Sequence, residues 1–130
     1  MKVSFFDWQG LYSERQKEFE MVISQTLKRG AFVLQEEVDA FEAQVCEFLG
    51  VNYCVGLSDA TNAMLLGLRA SGIGQGDEVI LPGHSFIAAA QSIHHVGAKP
   101  IPVELDETDW LICPAAIEKA ITEKTRAIMP

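Results

Sequence analysis

Ser58-Asp59-Ala60-Thr61-Asn62 is a run of small, hydroxyl and amide side chains between two apolar stretches. Tyr53-Cys54-Val55-Gly56-Leu57 precedes it and reads as a strand; Ala63-Met64-Leu65-Leu66-Gly67-Leu68 follows and reads as a helix. Such a junction aims unbonded backbone N–H groups and the positive end of a helix at one spot. A phosphate fits there. A side-chain cap fits too, with Ser58 or Asp59 bonding to the same amides. Asp59 would also repel a phosphate unless it turned aside. A second junction, Ser85-Phe86, follows the next apolar segment. Ser85 suits a helix cap, and Phe86 suits either a core position or an aromatic platform. In a parallel sheet both junctions lie at the C-terminal edge of the strands, where open sheets hold ligands. A phosphate cup beside an aromatic ring points to a planar phosphorylated cofactor. His84 lies two residues before Phe86 and is the candidate substrate contact.

Other chemical candidates read as ordinary. His94 and His95 are adjacent, so a helix would point them to different faces and they do not form a metal pair. Glu104, Asp106, Glu107 and Asp109 read as a solvated loop, not an acid–base pair. Gly72-Ile73-Gly74-Gln75-Gly76 lacks dinucleotide-binding spacing, and it follows a helix and precedes a strand, the reverse of the required order. It reads as a helix stop and tight turn.

These residues need a scaffold, and the apolar rhythm supplies one. Phe19, Val22, Ile23 and Leu27 make a helical face, closed by Lys28, Arg29 and Gly30. A second helix follows Ala31-Phe32-Val33-Leu34, with Glu36 and Glu37 in its first turn, a stripe of Val38, Phe41, Val45, Phe48 and Leu49, and Gly50 at its end. From Val51 the pattern alternates. Strands are expected at Tyr53–Leu57, Glu78–Leu81 and Pro100–Leu105, and one starts near Ala127. Helices are expected at Thr61–Ala70, Phe86–Val96 and Pro114–Ile121. Alternation of this kind predicts an α/β chain: N-terminal helices over about residues 1–50, then a partial parallel sheet with flanking helices over about 51–130.

Composition narrows the function classes. The chain has 130 residues and a net charge of −8, with a pI near 4.7. No basic patch exists, which argues against nucleic acid as a partner. No apolar run reaches a membrane-spanning length, and Met1–Asp7 lacks a signal-peptide core. Cys46, Cys54 and Cys113 form no metal or redox pair and suit a reducing cytoplasm. Hydrophobic residues make up 48% of the chain. That is high for its size, so some apolar residues are expected to face a partner or a further part of the protein.

Several segments resemble one family in order and spacing. They are Gly-Ile-Gly-Gln-Gly-Asp-Glu-Val-Ile-Leu-Pro (72–82), Ser-Phe-Ile-Ala-Ala (85–89), Gly-Ala-Lys-Pro-Ile-Pro-Val-Glu-Leu-Asp (97–106) and Ile-Glu-Lys-Ala-Ile-Thr-Glu-Lys-Thr-Arg-Ala-Ile-Met-Pro (117–130), with Phe32–Glu42 upstream. They are similar to the N-terminal part of the DegT/StrS family, nucleotide-sugar aminotransferases that use pyridoxal phosphate (PLP). The resemblance implies the first part of an aspartate-aminotransferase-like large domain (fold type I). It implies that Ala60, Thr61 and Asn62 hold the cofactor phosphate and that Phe86 stacks on the pyridine ring. It also implies a homodimer, a nucleotide-linked keto-sugar as substrate and glutamate as amino donor.

The sequence departs from the family pattern at four places. Asp59 stands for a neutral residue, Ala60 for glycine, Gln35-Glu36 for Gly-Pro, and Ala89 for a frequent threonine. The family's Schiff-base lysine and pyridine-binding aspartate lie beyond the matched stretch, so no catalytic residue is assigned and the chain reads as a fragment. The competing readings are another fold-type-I PLP enzyme, the family's dehydratase branch, and a non-catalytic partner-binding module.

Overall fold

The computed structural model describes residues 3, 5–31, 33 and 35–130. They divide into two compact units, Met1–Gly56 and Leu57–Pro130.

The first unit holds α1 (Trp8–Lys28) and α2 (Glu36–Leu49). Asp7 caps α1 by accepting a 2.9 Å hydrogen bond from the Gly10 amide. The helix bends at Arg15, whose backbone leaves helical geometry (φ −122°, ψ 17°). Lys28 ends it and Arg29 caps it, as the sequence suggests. Glu36, Glu37 and Asp39 start α2 beside the positive end of its dipole. Gly50, in the left-handed conformation, stops it. The guanidinium of Arg29 pairs with the Glu37 carboxylate. Neither helix has a buried residue. The apolar stripes on both are real, but they stay partly or fully exposed among the described residues. Phe32 and Leu34, in the expected entry to α2, lie outside the described residues.

The second unit runs α3 (Ala60–Ala70), β1 (Glu78–Pro82), α4 (Ile87–His95), β2 (Lys99–Val103), α5 (Pro114–Ala120) and β3 (Thr125–Ile128). The strands form a parallel sheet in the order β2-β1-β3. Ile80 pairs with Ile101 on one side and Ile128 on the other. β1 is central and therefore apolar on both faces. Val79 and Leu81 pack with Leu68 of α3, with Ala89 and Ile93 of α4, and with Ala98. Ile80, on the opposite face, is fully buried as well. Ala88 and Ala89 are small enough for α4 to lie close against its neighbours. Pro100 and Pro102 blunt the outer edge of β2. The Lys99 amide bonds inward to Asp77, so positions 100 and 102 face outward, where proline has no N–H to offer.

Three expectations need adjusting. Tyr53–Leu57 is not a strand: it joins no ladder among the described residues. Tyr53 and Val55 are 90% and 74% exposed. Strand propensity counts for little without a neighbour to pair with. Instead a Glu42 carboxylate oxygen accepts from the Gly56 amide at 2.6 Å. β2 starts at Lys99 and stops at Val103, short of Leu105, which pairs antiparallel with Ile112. β3 begins at Thr125, two residues earlier than read. The Gly72–Gly76 segment is the turn expected, with positive φ at Gly72 and Gly76.

Candidate functional site

α3 leads into β1 through a short turn and so runs antiparallel to the strands. Its first residue therefore lies toward the edge where the strands end. Asp59 caps it, accepting from the Asn62 amide at 2.8 Å. The Ser58 hydroxyl donates to the same carboxylate at 2.9 Å, as does the Asn62 side-chain amide. The Asn62 side chain also donates to the Ser58 oxygen at 2.8 Å. The result is a closed polar ring of Ser58, Asp59 and Asn62. It holds the Asp59 carboxyl below its ordinary pKa, chiefly through the Asn62 amide and then the Ser58 hydroxyl. A lowered value means that the charged cap stabilises the helix start above the unfolded carboxylate range. That contribution is lost as pH falls through the folded value.

The Ala63 amide bonds to the Asp59 carbonyl at 3.0 Å, within the helix. The Ala60 amide and the Thr61 hydroxyl are left for another acceptor. The Thr61 amide adds a weaker pull on the Asp59 carboxylate. Asp59 therefore does not turn away from the helix opening. It occupies part of it, and the Asn62 amide is already committed.

Phe86 sits beyond the end of β1 and opens α4, with extended backbone (φ −65°, ψ 137°) and no side-chain cap. The residue is 79% exposed, so it fills no core position. Gly83 allows the chain to turn there. Its amide donates to the Val103 carbonyl at 2.8 Å, and an added Cβ would sit 3.1 Å from that carbonyl oxygen. His84 lies in a groove of about 540 Å³ with Glu104, Asp106 and Trp110. Phe86 lines an adjoining, smaller groove with Pro100 and Pro102. His84 and Phe86, two residues apart, thus line different grooves.

Two residues escaped the reading of the sequence. Trp110 lines the His84 groove with φ at +63°. No local signal marks a bulky residue for that conformation. Ser92 is the buried polar side chain of the unit. Its hydroxyl donates to the Ala88 carbonyl at 2.8 Å and reaches the Thr61 carbonyl at 3.1 Å. In sequence it is one small polar residue in an alanine-rich helix.

The three lysines of the second unit, Lys99, Lys119 and Lys124, stand away from this edge. Lys99 opens β2, and Lys119 and Lys124 lie just ahead of β3, where the strands begin. Among the described residues no metal cluster forms, and no helix is long and apolar enough to cross a membrane.

The pattern of the DegT/DnrJ/EryC1/StrS aminotransferase family matches residues 13–130. The chain is 38% identical over 129 residues to the dTDP-3-amino-3,4,6-trideoxy-alpha-D-glucose transaminase of Streptomyces venezuelae, covering 99% of this chain and 34% of that protein. Among solved structures, S. venezuelae DesV superposes with a TM-score of 0.93 at 38% identity, over 98% of this chain and 34% of the other. NtdA from Bacillus subtilis, determined with bound cofactor PMP, superposes at 0.91 with 31% identity, over 98% and 29%. The chain spans about a third of the length of these relatives. The fold is the α/β arrangement of the fold-type-I enzymes, and the family is PLP-dependent. With the match running through both units and the sheet superposing on solved members, the chain belongs to the DegT/DnrJ/EryC1/StrS aminotransferase family.

Proposed function

We propose that this chain supplies the cofactor-phosphate cup and the ring platform of a PLP-dependent aminotransferase acting on a nucleotide-linked keto-sugar, with glutamate as amino donor. One observation carries the reading. The start of α3 leaves the Ala60 amide and the Thr61 hydroxyl for an anion, with the Thr61 amide only weakly drawn to Asp59, in the same unit as the exposed Phe86. These residues fit a pyridoxal phosphate: three donors at a helix N-terminus suit its phosphate, and an exposed aromatic face suits its ring. Bound PLP supplies the electron sink for moving an amino group. Thr61 and Ala60 hold and orient the phosphate. Phe86 covers one ring face and excludes water from it. The Asn62 amide joins them if Asp59 yields it. His84 contacts substrate from the neighbouring groove. Lys99, Lys119 and Lys124 stand at the far edge of the sheet and take no part in holding the cofactor. The same reading makes the protein a cytoplasmic homodimer.

A titration with pyridoxamine phosphate tests it. This form has no aldehyde to react with surface lysines, and pyridoxamine is its phosphate-free control. The phosphate-bearing form binds more tightly; equal affinity overturns the reading. Asp59 is the competitor at the cup, and Asp59→Ser should help. Serine keeps a helix cap and removes the negative charge. The expected outcome is a gain in pyridoxamine phosphate affinity of about threefold to tenfold, by like-charge repulsion at a partly screened site. The gain shrinks at high salt. An unchanged constant means that Asp59 lies too far from the phosphate to matter.

A further inference from the structure

The hydroxyl of Ser92 sits where the two halves of the candidate site meet. Ser92 belongs to the fourth helix of the chain and has 0% exposure. Its oxygen lies 2.8 Å from the carbonyl of Ala88, two residues after Phe86 in the first turn of α4. It also lies 3.1 Å from the carbonyl of Thr61, in the first turn of α3. Both carbonyls lie within hydrogen-bond distance of the one hydroxyl. A serine bonding back one turn is common within a helix. The reach to Thr61 is different, because it ties two elements that are 31 residues apart.

Around it are Ala88, Ala89 and Ile93, all buried. In so apolar a setting a serine gains little from packing that alanine would not also give. What it adds is a directional bond at low dielectric, where geometry is held more strictly than at the surface.

We infer that Ser92 is a positioning residue, fixing the Thr61 end of the phosphate cup relative to the turn that carries Phe86. The inference rests on the cofactor reading proposed above. Its consequence is a dependence on ligands that engage both places at once. A phosphate bridged to a ring gains from a fixed spacing, because the second contact becomes intramolecular once the first is made. A ring without its phosphate does not.

The experiment is a titration of the whole chain and its Ser92→Ala variant with pyridoxamine phosphate and with pyridoxamine, well below both melting temperatures. Alanine removes one oxygen and creates no clash, so the variant folds. The expected result is a loss of about threefold to tenfold in pyridoxamine phosphate affinity, the range for one net hydrogen bond. Pyridoxamine affinity stays unchanged. Ser92→Cys, a weaker donor of similar size, falls between the two. Unchanged pyridoxamine phosphate affinity in Ser92→Ala overturns the assignment. So does an equal loss for both ligands, which would report general loosening. If the unsubstituted chain shows no preference for pyridoxamine phosphate, the cup reading fails first and the role of Ser92 falls with it. A preference that survives Ser92→Ala intact leaves the cup standing and removes Ser92 alone.

Discussion

Thr61→Ala should weaken pyridoxamine phosphate binding by roughly tenfold to a hundredfold. The hydroxyl lies in the first turn of α3, beside the Ala60 amide that the Asp59 cap leaves over and the Thr61 amide that it holds only weakly. A hydrogen bond to a charged acceptor contributes about 1.5–3 kcal/mol, and 1.4 kcal/mol is about tenfold in a dissociation constant. Thr61→Ser keeps the hydroxyl and most of the affinity. Phe86→Ala should lose a similar order through lost stacking and apolar cover. Phe86→Trp, which keeps a ring face, should bind nearly as well. Because Phe86 is exposed, Phe86→Ala should leave the melting temperature almost unmoved. A purely structural role predicts the reverse pattern, with lower melting temperatures in both alanine variants and unchanged ligand constants. Four dissociation constants and four melting curves separate these cases. Unchanged affinity in both alanine variants would refute the site.

Ile93→Ala should destabilise the Leu57–Pro130 unit by about 2–5 kcal/mol, as large-to-small core changes do. Ile93 has no exposed surface and packs in the cluster with Val79, Leu81, Leu68, Ala89 and Ala98. Its neighbours lie on strands and helices held by the ladder, so the space collapses only in part and a cavity remains. Whole domains are stable by about 5–15 kcal/mol, so the loss is a large share of the total. Urea titration followed by far-ultraviolet dichroism should show a lower midpoint with an unchanged slope. Ile93→Val, one methylene smaller, should cost about 0.5–1.5 kcal/mol. A midpoint within error of the unsubstituted chain would mean that Ile93 is not in the cooperative core.

The helices were legible because their ends are local events. Gly30 and Gly50 stop α1 and α2 through their own backbone freedom, and Glu36 and Glu37 mark a helix start through the dipole. The bounds of α3, α4 and α5 fall within one residue of the positions read from apolar spacing and capping residues. The parallel sheet was legible from the alternation of elements, since consecutive strands joined through helices have few other ways to pair. Thr61 and Phe86 could be singled out for the same reason. Each sits at a junction between one kind of apolar run and another, and a junction is visible in sequence.

Pairing and direction were settled only by the folded chain. Tyr53–Leu57 has strand-forming residues, yet its backbone groups meet no ladder among the described residues. Strand formation depends on a second segment, which no local pattern contains. Leu105 leaves the direction of β2 to meet Ile112, a partner seven residues on. The rotamer of Asp59 decided that the Asn62 amide is taken. His84 and Phe86, two residues apart, line different grooves. Ser92 reads as one more small residue until α3 and α4 are side by side, because a bond across 31 residues exists only when packing brings its ends within 3.1 Å. Sequence periodicity reports which face of an element is apolar; which polar groups meet across that face depends on distances that only tertiary packing sets.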